Sequence, residues 1–242
     1  MQSGFFFTLF YQPLYNALVF LVSVVPGGSI GIAVIVLTLT VRIVTLPLSH
    51  RAVIAQKKLR DVAPHIEQVK EAHKDNKQEQ AKKIMELYRA HGINPFSGFI
   101  LVLIQLPVIF ALYFVLVKGL PSLNADILYS FVHLPEGALN MSFLGISLAA
   151  KHNIILALIA GVSQYFQIKL SVPPTPKLAP GAVASFKDEF ARSFNMQIRF
   201  ILPIVVFGVS YTFAAAVALY WATSNLFSIA HELYVKRKAQ GL

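Results

Sequence analysis

The sequence contains no cysteine, which excludes disulfides, thiolate metal sites, thiol nucleophiles and a lipidated cysteine. Charge is scarce as well. Asp, Glu, Lys and Arg make up 13% of the 242 residues, against about 25% in a soluble domain, so an ordinary soluble enzyme is a poor fit. Catalytic motifs are missing: the chain has no P-loop, no GxGxxG after a strand, no HExxH and no GxSxG. The seven histidines (His50, His65, His73, His91, His133, His152 and His231) are scattered, and none sits at metal-ligand spacing from another ligand within an apolar stretch. No nucleophile accompanies a base. These absences predict no enzyme, no metal and no cofactor. Apolar residues are abundant, at 56% with 19 Phe, and a chain this apolar cannot stay disordered in water.

Charge-free stretches organise the chain: 1–41, 90–117, 152–168 and 200–231. A membrane-spanning helix needs about 20 predominantly apolar residues. The first stretch is too long for one helix and is broken at Pro26-Gly27-Gly28. Its first part carries Tyr11, Gln12, Tyr15 and Asn16 among apolar residues and reads as a helix lying in the membrane interface. A signal peptide is the rival, but no basic segment and no small-x-small site precede Pro26. The last stretch would run about 48 Å as a single helix, well past a hydrocarbon core of about 30 Å, and reads better as a tight helical hairpin broken near Ser210-Tyr211-Thr212.

The expected architecture is an all-α polytopic membrane protein with five transmembrane helices. In order it has an extracytoplasmic interfacial helix (1–27), span one (28–50), a cytoplasmic helical hairpin (51–94) and span two (95–118). An extracytoplasmic loop (119–151), span three (152–171), a cytoplasmic loop (172–196), span four (197–212), span five (213–235) and a cytoplasmic tail (236–242) follow. Charge supports this count. Five spans place 18 of the 21 Lys and Arg on one side, leaving Lys118 and Lys151 on the other and Arg42 within a span. Basic residues stay cytoplasmic, so the N-terminus is expected outside and the C-terminus inside a cell membrane. The net charge of +10 then belongs to cytoplasmic loops, and no direct nucleic-acid recognition is expected. Residues 51–91 hold ten basic and six acidic residues with two thin apolar stripes and a turn at Asp75-Asn76. They read as two helices folded back on each other, with Pro64 kinking or restarting the first. Two readings stand for this hairpin: a solvated connector that anchors topology, or a docking surface for a ribosome, a translocase or an incoming chain.

Arg42 is the most informative residue. It lies about 18 Å past Ile30 along a helix, about 10 Å short of the inner edge. A charge there is expensive unless it finds water or partners. Thr38, Arg42, Thr45 and Ser49 share one helix face. Other spans carry Gln105, then Gln164 and Gln167, then Tyr220, Trp221, Ser224 and Asn225. No carboxylate lies within a charge-free stretch to pair with Arg42, so the array points to a hydrated groove that binds a substrate. Three bland alternatives compete: Arg42 snorkels to the interface, the hydroxyls bond their own helix carbonyls, and the glutamines join helices.

Short motifs complete the reading. Tyr11-Gln12-Pro13-Leu14 precedes a span that ends Val41-Arg42-Ile43-Val44-Thr45-Leu46-Pro47-Leu48. Gly92-Ile93-Asn94-Pro95-Phe96 closes the charged hairpin, Leu103-Ile104-Gln105-Leu106-Pro107 follows, and Leu219-Tyr220-Trp221-Ala222-Thr223-Ser224-Asn225-Leu226 comes near the end. Over residues 10–235 the chain resembles the YidC-type membrane protein insertases of bacteria, mitochondria and plastids. The resemblance implies a five-span core with a cytoplasmic hairpin and a hydrophilic groove holding one arginine, onto which Arg42 maps. It also implies nascent membrane proteins as substrates in a lipid bilayer, with the ribosome and a Sec-type translocon as possible partners. Departures from the family's pattern are a short segment before Tyr11, no lipobox cysteine, and a short tail that gives no support to tail-mediated ribosome binding. The competing reading from the residues alone is a small-anion transporter or channel using Arg42 as its binding charge. A scaffold for partner subunits is a third.

Overall fold

In the computed structural model, residues 4–94, 97–119, 123–135, 137, 139–172 and 186–239 are described. Among the described residues the fold is all-α apart from one small β-hairpin. A π-helical turn, Phe7–Tyr11, leads into α1, Gln12–Val24. Pro26-Gly27-Gly28 then turns the chain, with Gly27 and Gly28 at φ +68° and +59°, where a side chain would be strained. Helix α2, Ile30–Val44, starts at Ser29, whose hydroxyl accepts from the Ile32 amide.

Pro47 lacks the N–H a continuing helix would need, and its ring crowds the turn before it. The chain accordingly bends by 63° between α2 and α3, Leu46–Asp61, with Arg42 one turn ahead of the bend. Pro64 has the same effect in the charged segment, where α4, Ala63–Ala72, begins afresh. Asn76 then caps α5, Lys77–Ala90, accepting from the Glu79 amide at 3.1 Å. Gln80 Nε2 donates to the Lys70 carbonyl and ties α4 to α5. Neither α4 nor α5 contains a buried residue.

Helix α6, Ser97–Phe114, continues into a π turn, Val115–Gly119. Strands β1, Ser142–Phe143, and β2, Ile146–Ser147, pair antiparallel in the segment between α6 and the next helix. Helices α7, Ile154–Ser171, α8, Phe186–Thr212, and α9, Ala215–Ala239, complete the fold. The break between the last two falls at residues 213–214. Among the described residues, Phe7–Val24 and Ile154–Ser171 are each long and apolar enough to cross a membrane, and the bent α2–α3 pair passes the same test jointly.

Helix α9 sits at the centre, against α2, α7 and α8. Its opening turns are lined with small residues: Ala215 and Ala218 are fully buried, as are Ala157 and Ala160 on α7. Small residues let helix backbones approach closely where lipid gives no hydrophobic drive. Gly161 performs the same role between α7 and α8, since a Cβ there would lie 3.0 Å from Phe207 Cβ and 3.2 Å from the Pro203 carbonyl. The larger core residues, Tyr15, Leu18, Ile30, Val34, Leu112, Val115 and Leu148, join α1, α2 and α6 to the loop that follows α6.

That loop is fastened by polar groups of α1. Asn16, only 2% exposed, donates from Nδ2 to the Ile127 carbonyl at 2.9 Å and accepts at Oδ1 from the Tyr129 amide. Gln12 Nε2 also donates to the Ile127 carbonyl, and the Tyr15 hydroxyl accepts from the Asn124 amide. Further on, Phe143 packs onto Gly31 at the start of α2. The Ala150 and Leu148 carbonyls accept from the Ala215 and Ala216 amides, satisfying donors that the first turn of α9 leaves unpaired.

Candidate functional site

Arg42 reaches from α2 to α9. Its Nε donates to Ser224 Oγ at 2.8 Å, and its Nη2 donates to the same oxygen. The guanidinium is half-buried, whereas Ser224 is 2% exposed. Tyr220, one turn earlier on α9, lies within electrostatic range of the guanidinium. The acceptor is a neutral hydroxyl, so it satisfies hydrogen bonds without cancelling the charge.

The other polar groups on the Arg42 face turn inward on their own helix. Thr38, 1% exposed, donates to the Val34 carbonyl at 2.6 Å. Thr45 Oγ1 donates to the Val41 carbonyl at 2.9 Å, and Ser49 Oγ to the Thr45 carbonyl. Hydroxyls four residues past a carbonyl bond to it readily in helices. Thr38 therefore accompanies Arg42 without a hydrogen bond to it among the described residues, and Thr45 Oγ1 reaches the Arg42 backbone carbonyl, at 3.3 Å, rather than the guanidinium.

The glutamines form a separate array. On α7, Gln164 Nε2 donates to Gln167 Oε1 at 3.2 Å, Gln167 Nε2 to Ser171 Oγ at 3.1 Å, and Ser171 Oγ to Glu232 Oε2 on α9 at 2.5 Å. Asn225 faces the same helix, donating to Ser163 Oγ at 3.1 Å and to the Ala160 carbonyl. One flank of α9 thus meets Arg42 through Ser224, while another meets α7 through Asn225 and Glu232. Trp221 packs against the apolar core. Gln105 lies on α6, but its side chain is outside the described residues.

Sequence reasoning missed Glu232, Ser163 and a contact between His50 and His231, whose Nδ1 and Nε2 stand 3.2 Å apart across α3 and α9. Glu232 carried a signal: it closes the last charge-free stretch and has Lys236 one turn later. The histidines carried none, because nothing in the order of residues brings positions 50 and 231 together. No group of three or more His, Asp or Glu suited to a metal occurs among the described residues.

Beside this polar system lies an apolar groove of about 740 Å³ between α7 and α9. Leu158, Val162, Phe166, Leu226, Ile229 and Leu233 line it, with Ser163 and Lys169 as its polar members. On the charged hairpin, the Lys83 ammonium donates to Glu86 at 3.0 Å and holds that carboxyl below its usual range. Burial raises the Tyr88 phenol, with Lys70 pulling the other way.

A family model described as 60Kd inner membrane protein matches residues 20–241. Among curated relatives, the chain is similar to proteins called membrane protein insertase YidC. It is 31% identical to that of Wolinella succinogenes over 96% of this chain and 38% of the relative. It is 29% identical to that of Campylobacter jejuni over 96% and 38% respectively, and 30% identical to that of Helicobacter pylori over 87% and 33%. The chain spans little more than a third of the length of these relatives. Its fold is similar to a crystal structure of an active YidC insertase with the first transmembrane domain resolved. The TM-score is 0.56 at 22% identity, covering 94% of this chain and 46% of that one.

Proposed function

The chain belongs to the 60Kd inner membrane protein family of YidC-type insertases, and from that premise we propose that it inserts membrane proteins into the cell membrane and helps them fold. One observation carries this reading: Arg42, set in an apolar helix, is held by the neutral Ser224 hydroxyl and keeps its charge available. In the proposed arrangement the five spans run through α2, α6, α7, α8 and α9, with α3, α4 and α5 in the cytoplasm. The N-terminus is outside and the C-terminus inside. Arg42, with Thr45, Tyr220 and Ser224, borders a hydrated groove open to the cytoplasm and closed outside by the loop fastened to α1, while Thr38 and Trp221 pack beside it and Gln164, Gln167 and Asn225 stand on the α7 side of α9.

A polar tail crossing bare lipid meets a steep barrier, since a charge at the bilayer centre costs between about 3 and more than 10 kcal/mol. A wet hollow reaching halfway shortens that path. Arg42 attracts acidic residues of the tail and releases them again, because its own partner is a hydroxyl that water can replace. The apolar segment of the client meanwhile lies along the α7–α9 groove and leaves it sideways into lipid, driven by hydrophobic transfer. The cytoplasmic hairpin receives the chain first, with a ribosome or a Sec-type translocon as the source. No nucleotide enters the scheme.

Reconstitution of the full chain into liposomes tests this. A small, newly synthesised membrane protein with an acidic tail is added, and protease protection of that tail is read. The wild-type chain inserts it, Arg42→Ala loses most of the insertion, and Arg42→Lys keeps part of it. Full insertion by Arg42→Gln removes the electrostatic step. Anion flux without insertion supports the transporter reading instead, and neither activity leaves the scaffold.

A further inference from the structure

Glu232 lies on the cytoplasmic side of the proposed groove, and its side chain is 4% exposed. A buried carboxylate persists only where charges and hydrogen bonds compensate it. Here three helices supply them. Ser171 Oγ on α7 donates to Oε2 at 2.5 Å. Lys236 Nζ, one turn on along α9, is 3.4 Å from Oε1, and Arg60 Nη2 on α3 is 3.6 Å from it. The same two cations converge on the Leu170 carbonyl, with Lys236 donating at 3.0 Å and Arg60 donating from Nη2. That carbonyl is one of the four that the end of α7 leaves unbonded within the helix, and cations are favoured there.

Arg60 alone in this cluster comes from the charged cytoplasmic segment. The near end of α3 is held by Ala52, its one buried residue, by the His50–His231 contact and by packing on α6, whereas α4 and α5 beyond its far end bury nothing. We propose that Glu232 is a positioning residue whose carboxylate pins the far end of α3, through Arg60, to the cytoplasmic ends of α7 and α9, and so sets where the α4–α5 hairpin stands over the groove. The proposal deepens the insertase reading and rests on it for its consequence in insertion.

The geometry also makes the pin releasable. Of the three groups around the carboxylate Arg60 is the most distant, its Nε is buried with no partner among the described residues, and its one other hold at this end is the Leu170 carbonyl. When it departs, Ser171 and Lys236 still hold the carboxylate, so no bare charge is left behind. The hairpin can therefore swing away to admit a chain without disturbing α7 or α9.

Because the chain has no native cysteine, spin labels can be placed on Glu71→Cys in α4 and Arg237→Cys in α9 of the full chain in liposomes. Their separation is then measured by double electron–electron resonance. The pinned wild type gives one narrow distance distribution. Glu232→Gln adds a longer-distance population, and Arg60→Gln, whose site on the cytoplasmic arm is not needed to build the core, adds the same one to at least that extent, because it also gives up the Leu170 carbonyl. The double variant shows no more than Arg60→Gln alone, and Lys236→Gln, whose bonds run to Glu232 and the Leu170 carbonyl rather than to α3, keeps the narrow distribution. If both glutamine variants retain the wild-type distribution, or Lys236→Gln broadens it as much as Glu232→Gln does, the pin is overturned. Insertion is assayed on the same samples, where Glu232→Gln and Arg60→Gln should each lower it several-fold. A shifted hairpin with undiminished insertion overturns the link between pin and insertion. Failure of the wild type itself to insert removes the insertase reading but leaves the distance result standing.

Discussion

Arg42 and Ser224, 182 residues apart in the chain, share a hydrogen bond of 2.8 Å from Nε to Oγ. The consequence lies in what Ser224 is not. A carboxylate there would neutralise the guanidinium and make a structural ion pair, whereas a hydroxyl orients the group and leaves its charge free to act.

Ser224→Ala should therefore weaken insertion of acidic-tailed clients less than Arg42→Ala does. Water can take over a lost hydrogen bond but cannot supply a positive charge. Equal losses in the two variants, measured by protease protection in liposomes, would mean that orientation rather than charge limits the step.

Thiol labelling should separate the two threonines flanking Arg42. Thr45 is half-buried at the bend, whereas Thr38 is 1% exposed. A cysteine at 45 should react with a membrane-impermeant maleimide from the cytoplasmic side, and one at 38 should stay unlabelled over the same interval. Rapid labelling at 38 would place the hollow deeper than Arg42.

Asn16→Ala removes both of that residue's hydrogen bonds to the loop after α6 and leaves the Tyr129 amide without its acceptor. An abandoned buried donor or acceptor costs about 1–3 kcal/mol. The melting temperature in detergent should fall, and proteolysis within 123–135 should accelerate.

Gly31→Ala places a methyl group 2.3–2.7 Å from Phe143 carbon atoms. Overpacking of this kind costs about 1–3 kcal/mol. Adding Phe143→Ala should recover part of the lost thermal stability, and no recovery would show that the methyl group meets something other than that ring.

Deleting 55–88 should lower insertion while leaving the spans folded, because α4 and α5 bury nothing against them. Unchanged insertion would reduce the segment to a connector. The deletion also removes Arg60, so the distance measurement on Arg60→Gln is needed to separate loss of the pin from loss of the hairpin.

Much of the fold was legible in advance. Hydropathy runs and proline positions located the helices, and the turn at Asp75-Asn76 and the restart at Pro64 match the ends of α4. Arg42 stood out because a charge in an apolar run needs an explanation wherever the helix is placed. The loop at 119–151 was not legible. Its order comes from Asn16, Gln12 and Tyr15 on a helix more than a hundred residues earlier, and these polar residues read in isolation as interfacial decoration. The polar stripe was half legible: periodicity aligned Thr38, Thr45 and Ser49 with Arg42, but a hydroxyl in a helix can always turn to the carbonyl behind it, and all three do.

Composition and the spacing of charge along one dimension determined that this is a helical membrane protein with a charged hairpin and one arginine out of place. Those quantities add up residue by residue and need no knowledge of neighbours. Tertiary structure alone decided that Arg42 meets Ser224, that Asn225 meets Ser163, and that Glu232 collects Arg60, Ser171 and Lys236. Which flank of α9 faces which helix depends on how closely Ala157, Ala160, Gly161, Ala215 and Ala218 let the helices approach, and that packing exists only once all of them are in place.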